Sequence, residues 1–404
     1  MKNSTLPVIG MLLITANLGE AGDSKTKTPV KINPRLVNEE PYRFNGVVLT
    51  DEFRGSGFCA WSDRTFFSAA HVVYHEGSWD APPVWYSQAN AASLDQVPSI
   101  PSRGYYRWSN YAELADDETT GQTEFGRDVI LAYAFEKVIT GKPATINFAG
   151  TKDLRGEVKT LITGYPADNL YIDESIDGYF MHKTGPVVSP YKTFAGNALT
   201  TTLVSTGHGN SGGPIWTKDK NLGWTAAGVL VGGLPSESIV YAFSKDTNSL
   251  LRAVTPVIQP ELESPVAIKG VESSSTFFPY ERTVKIPDGR QSWTSFRIPV
   301  NTFPNKAAVK SVALSLTILT KHRGDLQIVL EGPGGYQALV QNEQGADKNN
   351  FILKSADFSE SFVGIEANGA WFLRVQDRLV GDIATFKSAL LEISTADVVV
   401  PPTP

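Results

Sequence analysis

An all-β chain with two successive β units is what this sequence predicts, on three observations. Between residues 40 and 258 the apolar runs are short and broken by Gly, Pro, Asn and Asp, which is the text of a barrel or sandwich. No long amphipathic helix interrupts them. From 275 to 396 a second set alternates: Val312, Leu314, Leu316 and Ile318, then Leu326, Ile328 and Leu330 beyond the turn His322-Arg323-Gly324-Asp325. That period belongs to half-buried strands. The length of 404 residues allows two or three domains, each with a sizeable core.

The chain opens with Lys2, a largely apolar run from Leu6 to Ala16 and the small-x-small sequence Gly19-Glu20-Ala21. Residues 1–21 therefore read as a secretory signal peptide and the protein as secreted or periplasmic. Residues 22–39, rich in Lys and Thr, read as a mobile leader. The apolar run is too short to span a bilayer, and no other segment approaches the ~18 apolar residues required. With 36 basic against 42 acidic residues, the formal charge of −6 gives no support to a nucleic-acid partner.

The first strands of the 40–258 unit are Gly46-Val47-Val48-Leu49 and Gly57-Phe58-Cys59-Ala60. Cys59 is the single cysteine, so no intramolecular disulfide forms and the fold rests on packing; in its apolar run it reads as a small core residue. Next comes Thr65-Phe66-Phe67-Ser68-Ala69-Ala70-His71, an apolar strand with a histidine at its tip. Residues 78 to 112 form an aromatic and polar insertion. Gly126-Arg127-Asp128-Val129-Ile130-Leu131 places an aspartate at the start of another apolar strand, whereas Asp116 and Asp117 stand among polar neighbours and read as solvated loop acids.

The second half opens at Leu161-Ile162-Thr163-Gly164-Tyr165-Pro166 and reaches Thr206-Gly207-His208-Gly209-Asn210-Ser211-Gly212-Gly213-Pro214. A serine packed among glycines makes chemical sense as a nucleophile. Acyl transfer needs backbone N–H groups aimed at the developing oxyanion, and glycine lets the chain approach without a Cβ; Gly209 and Ser211 are the candidate donors. A serine hydroxyl also requires a base and a carboxylate that orients it. His71 and Asp128 fill those places. Read singly, Ser211 fits a structural turn, His71 a core histidine and Asp128 a loop cap, but three such motifs in this order point to catalysis. His75 reads as a surface residue, His208 as lining the cleft, and His182 has no assigned role.

These motifs resemble those of the trypsin-like, chymotrypsin-fold serine proteases, whose base follows an S/T-A-A turn and whose nucleophile sits in G-x-S-G-G-P. The order His71, Asp128, Ser211 matches that group and not subtilisins or α/β-hydrolases. The resemblance implies a chymotrypsin-like double β-barrel over 40–258. The Gly164-Tyr165-Pro166 element and Asn210 are similar to the bacterial glutamyl-endopeptidase-like branch, and Val72 after His71 fits a disulfide-free bacterial relative. By the same resemblance, Ser205, Thr206, Val231, Gly233 and Ile239 line the specificity pocket. None carries a charge, so an uncharged side chain is the expected substrate feature. Asn210 is neutral where digestive members carry an aspartate, so activation should not need an ion pair with a freed N-terminus.

After a linker at 259–274, residues 275–396 resemble the P domain (Homo B) of proprotein convertases, a jelly-roll-like β-sandwich, through His322-Arg323-Gly324-Asp325-Leu326 and Trp371-Phe372-Leu373-Arg374-Val375-Gln376-Asp377. Ala384 stands where that pattern has glycine. Only the fold transfers, since convertases join this module to a subtilisin-type domain. Residues 397–404 form a tail. The reaction needs no cofactor and no metal; Asp325 and Asp377 offer oxygens of the kind calcium takes in the C-terminal domain, but two acids do not make a six-to-eight-ligand site. A secreted serine endopeptidase acting on protein or peptide is the expected function. The alternatives are an esterase on the same triad and a catalytically silent adhesin or scaffold that uses the C-terminal unit.

Overall fold

A computed structural model describes residues 26–116, 123–170, 173–258, 267–289, 292–342 and 349–396. The expected signal peptide, Asp117, residues 259–266 of the linker and the tail lie outside the described residues. The structure is all-β in its main architecture, as the broken apolar runs predict.

The first sheet contains β1 (Asn45–Leu49), β2 (Arg54–Cys59), β3 (Thr65–Ser68), β4 (Val84–Ser87), β5 (Ser99–Trp108) and β6 (Ile130–Ala134). Its order is β5-β4-β1-β2-β3-β6, and a further β5–β6 pairing closes it into a barrel, which removes both edges. The second sheet is built on β7 (Lys159–Gly164), β8 (His182–Val188), β9 (Ala198–Thr201), β10 (Pro214–Asp219), β11 (Gly223–Leu234) and β12 (Glu237–Ala242). It runs β8-β7-β10-β11-β12-β9, and register shifts at Thr160/Ile162, Ile215/Trp216 and Leu230/Gly232 give it the bulges that bend strands. Aromatic rings join the two sheets: Phe58 lies 5.7 Å from Trp216, and Phe67 lies 4.9 Å from Phe243. Cys59 is fully buried in this core, and burial pushes its thiol well above the ordinary range, as an inert packing residue requires.

Three expectations are corrected. The leader is part of the fold from residue 26: Val30–Lys31 pairs with β8, and Ile32 and Val37 are buried. An amphipathic helix, Asn248–Ile258, does exist; it buries Leu250, Leu251, Val254 and Val257 in the core shared by the two sheets. Its single short apolar stripe and internal Pro256 make it a weak signal in the sequence. The linker also ends early, because β13 (Val271–Ser273) adds to the barrel antiparallel to β5.

The C-terminal unit follows immediately. Its first sheet has the order β14 (Ser275–Lys285), β21 (Thr385–Ala396), β16 (Ala308–Leu319), β19 (Phe351–Asp357). Its second has β15 (Thr294–Val300), β20 (Gly369–Asp377), β17 (Leu326–Glu331), β18 (Gln337–Asn342). The two four-stranded sheets bury Phe296 against Phe386, with centroids 4.1 Å apart, and Phe362 against Trp371. This is sandwich geometry. The alternating residues Leu314, Leu316, Ile318, Leu326, Ile328 and Leu330 are all buried, as their spacing predicts.

The sandwich is bonded to the barrel through polar groups that are themselves buried. Arg103 on β5 is 4% exposed and pairs with Glu392 on β21, its Nε donating to Oε2 at 2.9 Å and its Nη2 to the same oxygen. The Tyr133 hydroxyl donates to Glu392 Oε1 at 3.0 Å, and Ser311 Oγ donates to the Arg103 carbonyl at 3.1 Å.

Candidate active site

His71 sits in a single 3-10 turn, Ala70–Val72, directly after β3. Asp128 precedes β6, which pairs with β3, so sheet register brings the two together. The aspartate grips the histidine twice: Oδ1 accepts the His71 backbone N–H at 2.9 Å and Oδ2 lies 2.6 Å from Nδ1. Asp128 is 1% exposed, while the His71 side chain is 35% exposed. The buried partner therefore fixes a ring whose Nε2 remains for chemistry. Burial works against a charged imidazole here, but the charge and hydrogen bond of Asp128 outweigh it and His71 is held above its ordinary 6.5, with His208 pulling slightly the other way.

Ser211 arrives from the second sheet. Its carbonyl accepts the Ser56 N–H at 2.7 Å, and Ser68 Oγ donates to the Ser56 carbonyl at 2.8 Å, which ties the serine loop to the strand that leads into His71. Gly55 measures how close they are: a Cβ there would stand 2.7 Å from Val72 Cγ2 and 3.0 Å from the Ser211 carbonyl. No hydrogen bond closes between Ser211 Oγ and His71 among the described residues, as is common for such pairs before substrate binds.

The backbone around Ser211 is more decisive than the hydroxyl. Asn210, Gly212 and Gly213 spend their N–H groups on the carbonyls of Gly207, Leu230 and Asn210, whereas those of Gly209 and Ser211 have no acceptor among the described residues. Their direction follows from the trans peptide, in which C=O and N–H point opposite ways. The His208 carbonyl is pinned by Ala167 N at 2.6 Å and the Asn210 carbonyl by Gly213 N at 2.9 Å, so the free N–H groups of Gly209 and Ser211 face away from both anchors. Gly209 has φ +80°, and a Cβ there would meet the Tyr165 carbonyl at 2.6 Å. Only glycine serves at that position.

A second histidine–aspartate pair was not foreseen. Asp168 Oδ1 accepts the His208 N–H at 2.8 Å and Oδ2 lies 2.5 Å from Nδ1, the same two-point grip as at His71. It is much more open, with side chains 58% and 29% exposed. Nothing in the sequence links two residues 40 positions apart. The hydrogen bond from Asp168, against the opposing effect of burial, raises the His208 pKa.

Of the pocket candidates, Ser205 and Thr206 are buried, and Ser205 Oγ has no hydrogen-bond partner among the described residues. Thr206 Oγ1 lies 3.2 Å from the hydroxyl of Ser238, a residue that sequence reasoning missed, and 3.2 Å from where a Gly233 Cβ would stand. Val231 and Ile239 belong to the barrel core. The remaining histidines stand apart: His182 Nδ1 donates to the Phe180 carbonyl at 2.8 Å, and His75, expected at the surface, is mostly buried with its ring 3.6 Å from that of Phe53. Asp116 accepts from the Tyr74 hydroxyl at 2.6 Å at the end of a helix, and so is bonded rather than loosely solvated. On the other side of His71 a groove of about 970 Å³ passes Phe53, Tyr74 and Asp116 and reaches Lys310 and Ala396 of the sandwich.

Comparison with known proteins agrees with this division of the chain. Residues 55–222 match the family model for a trypsin-like peptidase domain, and residues 309–393 match that for a proprotein convertase P-domain. The matches stop at that level and do not reach a branch within the peptidase group. No curated protein matches the chain. Among the described residues no helix is long and apolar enough to cross a membrane.

Proposed function

We propose that this chain, a trypsin-like peptidase domain followed by a P-domain, is an exported serine endopeptidase. His71 takes the proton from Ser211 Oγ as the hydroxyl attacks the scissile carbonyl. Asp128 keeps the imidazole in the tautomer that leaves Nε2 free and stabilises its charged form. The N–H groups of Gly209 and Ser211 receive the oxyanion, and His71 then protonates the leaving amine. The observation that carries the reading is the pair of unspent N–H groups beside Ser211, because a merely structural glycine turn would satisfy them.

A serine-directed phosphonate should label the wild-type protein at Ser211, and Ser211→Ala should lose both labelling and at least ~10³ in turnover. An Ala variant that keeps wild-type turnover would exclude Ser211 as the nucleophile. The same labelling separates this reading from a silent scaffold, and protein substrates set against simple esters separate it from an esterase.

Because the base must be neutral, kcat/KM should fall as pH drops through the folded pKa of His71, with the midpoint above 6.5. An acid limb centred well below 6 would contradict the pairing with Asp128.

An uncharged pocket is the preferred specificity. Ser205, Thr206 and Ser238 offer hydroxyls and no carboxylate, so a buried Lys or Arg side chain would lack a partner. Profiling on a mixed peptide library should give an uncharged residue before the cut. Dominance of Lys, Arg, Glu or Asp there would reject this assignment.

A further inference from the structure

Three aspartates at one end of the sandwich keep buried carboxylate oxygens with nothing to bond. Asp377, the last residue of β20, is 1% exposed, and neither of its oxygens has a hydrogen-bond partner among the described residues. Asp382 spends Oδ2 on Thr320 Oγ1 at 2.9 Å and Lys321 N at 2.7 Å, while its Oδ1 is buried and unpartnered. Asp288 accepts the Gly381 N–H on Oδ2 at 3.2 Å and leaves Oδ1 buried and unpartnered. Asp325 lies in the turn before β17, opposite the end of β20, with its carbonyl accepting Arg378 N at 3.0 Å.

An unpaired buried carboxylate is among the most unfavourable groups a fold can hold, and native structures neutralise such groups with a partner, a proton or a metal. Here the partners are absent for the oxygens in question and the neighbours have the same sign.

We propose that Asp288, Asp377 and Asp382, with Asp325 beside them, form a calcium site that clips the two sheets of the sandwich together. The donors are all oxygens, which suits a hard cation over zinc or copper. Apart from Asp377 at a strand end they come from turns and loops, which suits the flexible shell of six to eight oxygens that calcium accepts at roughly 2.3–2.6 Å over the rigid octahedron of magnesium. Carbonyls of the same turns complete such a shell. No three acidic, His or Cys side chains among the described residues already converge at ligand spacing, which like charges without a counter-ion would resist. The ion would join the turn after β14 and the loop before β21, both of one sheet, to the end of β20 in the other.

The test is thermal unfolding and titration calorimetry of the full chain with calcium chloride, magnesium chloride or EDTA. Calcium should raise Tm by ~3 °C or more over EDTA, exceed magnesium at equal concentration, and bind with a stoichiometry near one. Asp377→Asn and Asp382→Asn should each fold without metal and lose most of the calcium gain, since an amide removes the charge but keeps the shape. Equal Tm in calcium and EDTA, or an undiminished gain in both variants, would overturn the site. Should one variant fail to fold, calorimetry on the wild-type chain still decides, because absence of heat on calcium addition rejects the proposal.

Discussion

Asp128→Asn should lower kcat about 10⁴-fold while Asp168→Asn should leave most of the activity in place. The first number is that of the triad template: an amide donates where the carboxylate accepted, holds the imidazole in the wrong tautomer and withdraws the charge that steadies the protonated ring. The contrast tests which of two similar grips does the chemistry. Both aspartates hold a histidine by its backbone N–H and by Nδ1, but Asp128 is 1% exposed and Asp168 29% exposed. Shielding from water makes the first interaction strong, and solvent weakens the second. Steady-state kinetics on the two variants are sufficient. A collapse in Asp168→Asn with survival of Asp128→Asn would transfer the role of base to His208, and Asp116→Asn should be silent in either case.

Glu392→Gln should destabilise the protein by about 3–5 kcal/mol, although residue 392 lies outside the peptidase domain. Removing this charge leaves Arg103 buried at 4% exposure with no carboxylate, and the amide keeps one oxygen where Arg103 and the Tyr133 hydroxyl each had their own. Breaking one member of a buried pair is far costlier than replacing both, so Arg103→Met combined with Glu392→Leu should recover much of the loss. Denaturant unfolding of the single and double variants measures this, and a midpoint for Glu392→Gln equal to wild type would refute the role of the pair. The same contacts change what truncation should do. Independent folding of residues 275–396 is the natural expectation from two adjacent modules, yet a chain ending near 265 loses β13 from the barrel sheet, Glu392 from Arg103, and the Lys310 end of the groove. Such a chain should be less stable than the whole protein even if it cleaves short peptides.

What could be read in the sequence was local or carried by motifs. Strand alternation identified the buried faces of the sandwich, and three short motifs picked out residues that the folded chain brings to one place. What could not be read depends on long separations. Arg103 and Glu392 are 289 residues apart and each looks like an ordinary strand residue of a solvated face. His208 announced itself beside the nucleophile, but its partner Asp168 sits in a two-residue strand that nothing in its composition marks. The acidic cluster was half visible: Asp325 and Asp377 lie in recognisable turns, whereas Asp288 and Asp382 joined them only when loops from two sheets met. Residues 26–39 misled for a different reason, since Lys and Thr composition says nothing about a backbone that pairs with a neighbouring strand.

That pairing bears on maturation. The Lys27 N–H bonds to the Leu203 carbonyl at 2.9 Å and its carbonyl accepts from Ser205 N at 2.8 Å, while Thr26 Oγ1 donates to the Thr202 carbonyl at 3.2 Å. The segment that leads to the nucleophile is thus splinted by the first described residues of the chain. If the chain is processed, a cut after Lys27 would strip these bonds from Thr202, Leu203 and Ser205, and a cut before Thr26 would keep them; chains starting at Thr26 and at Thr28 should therefore differ in stability and turnover, and equal behaviour would refute the role of the splint.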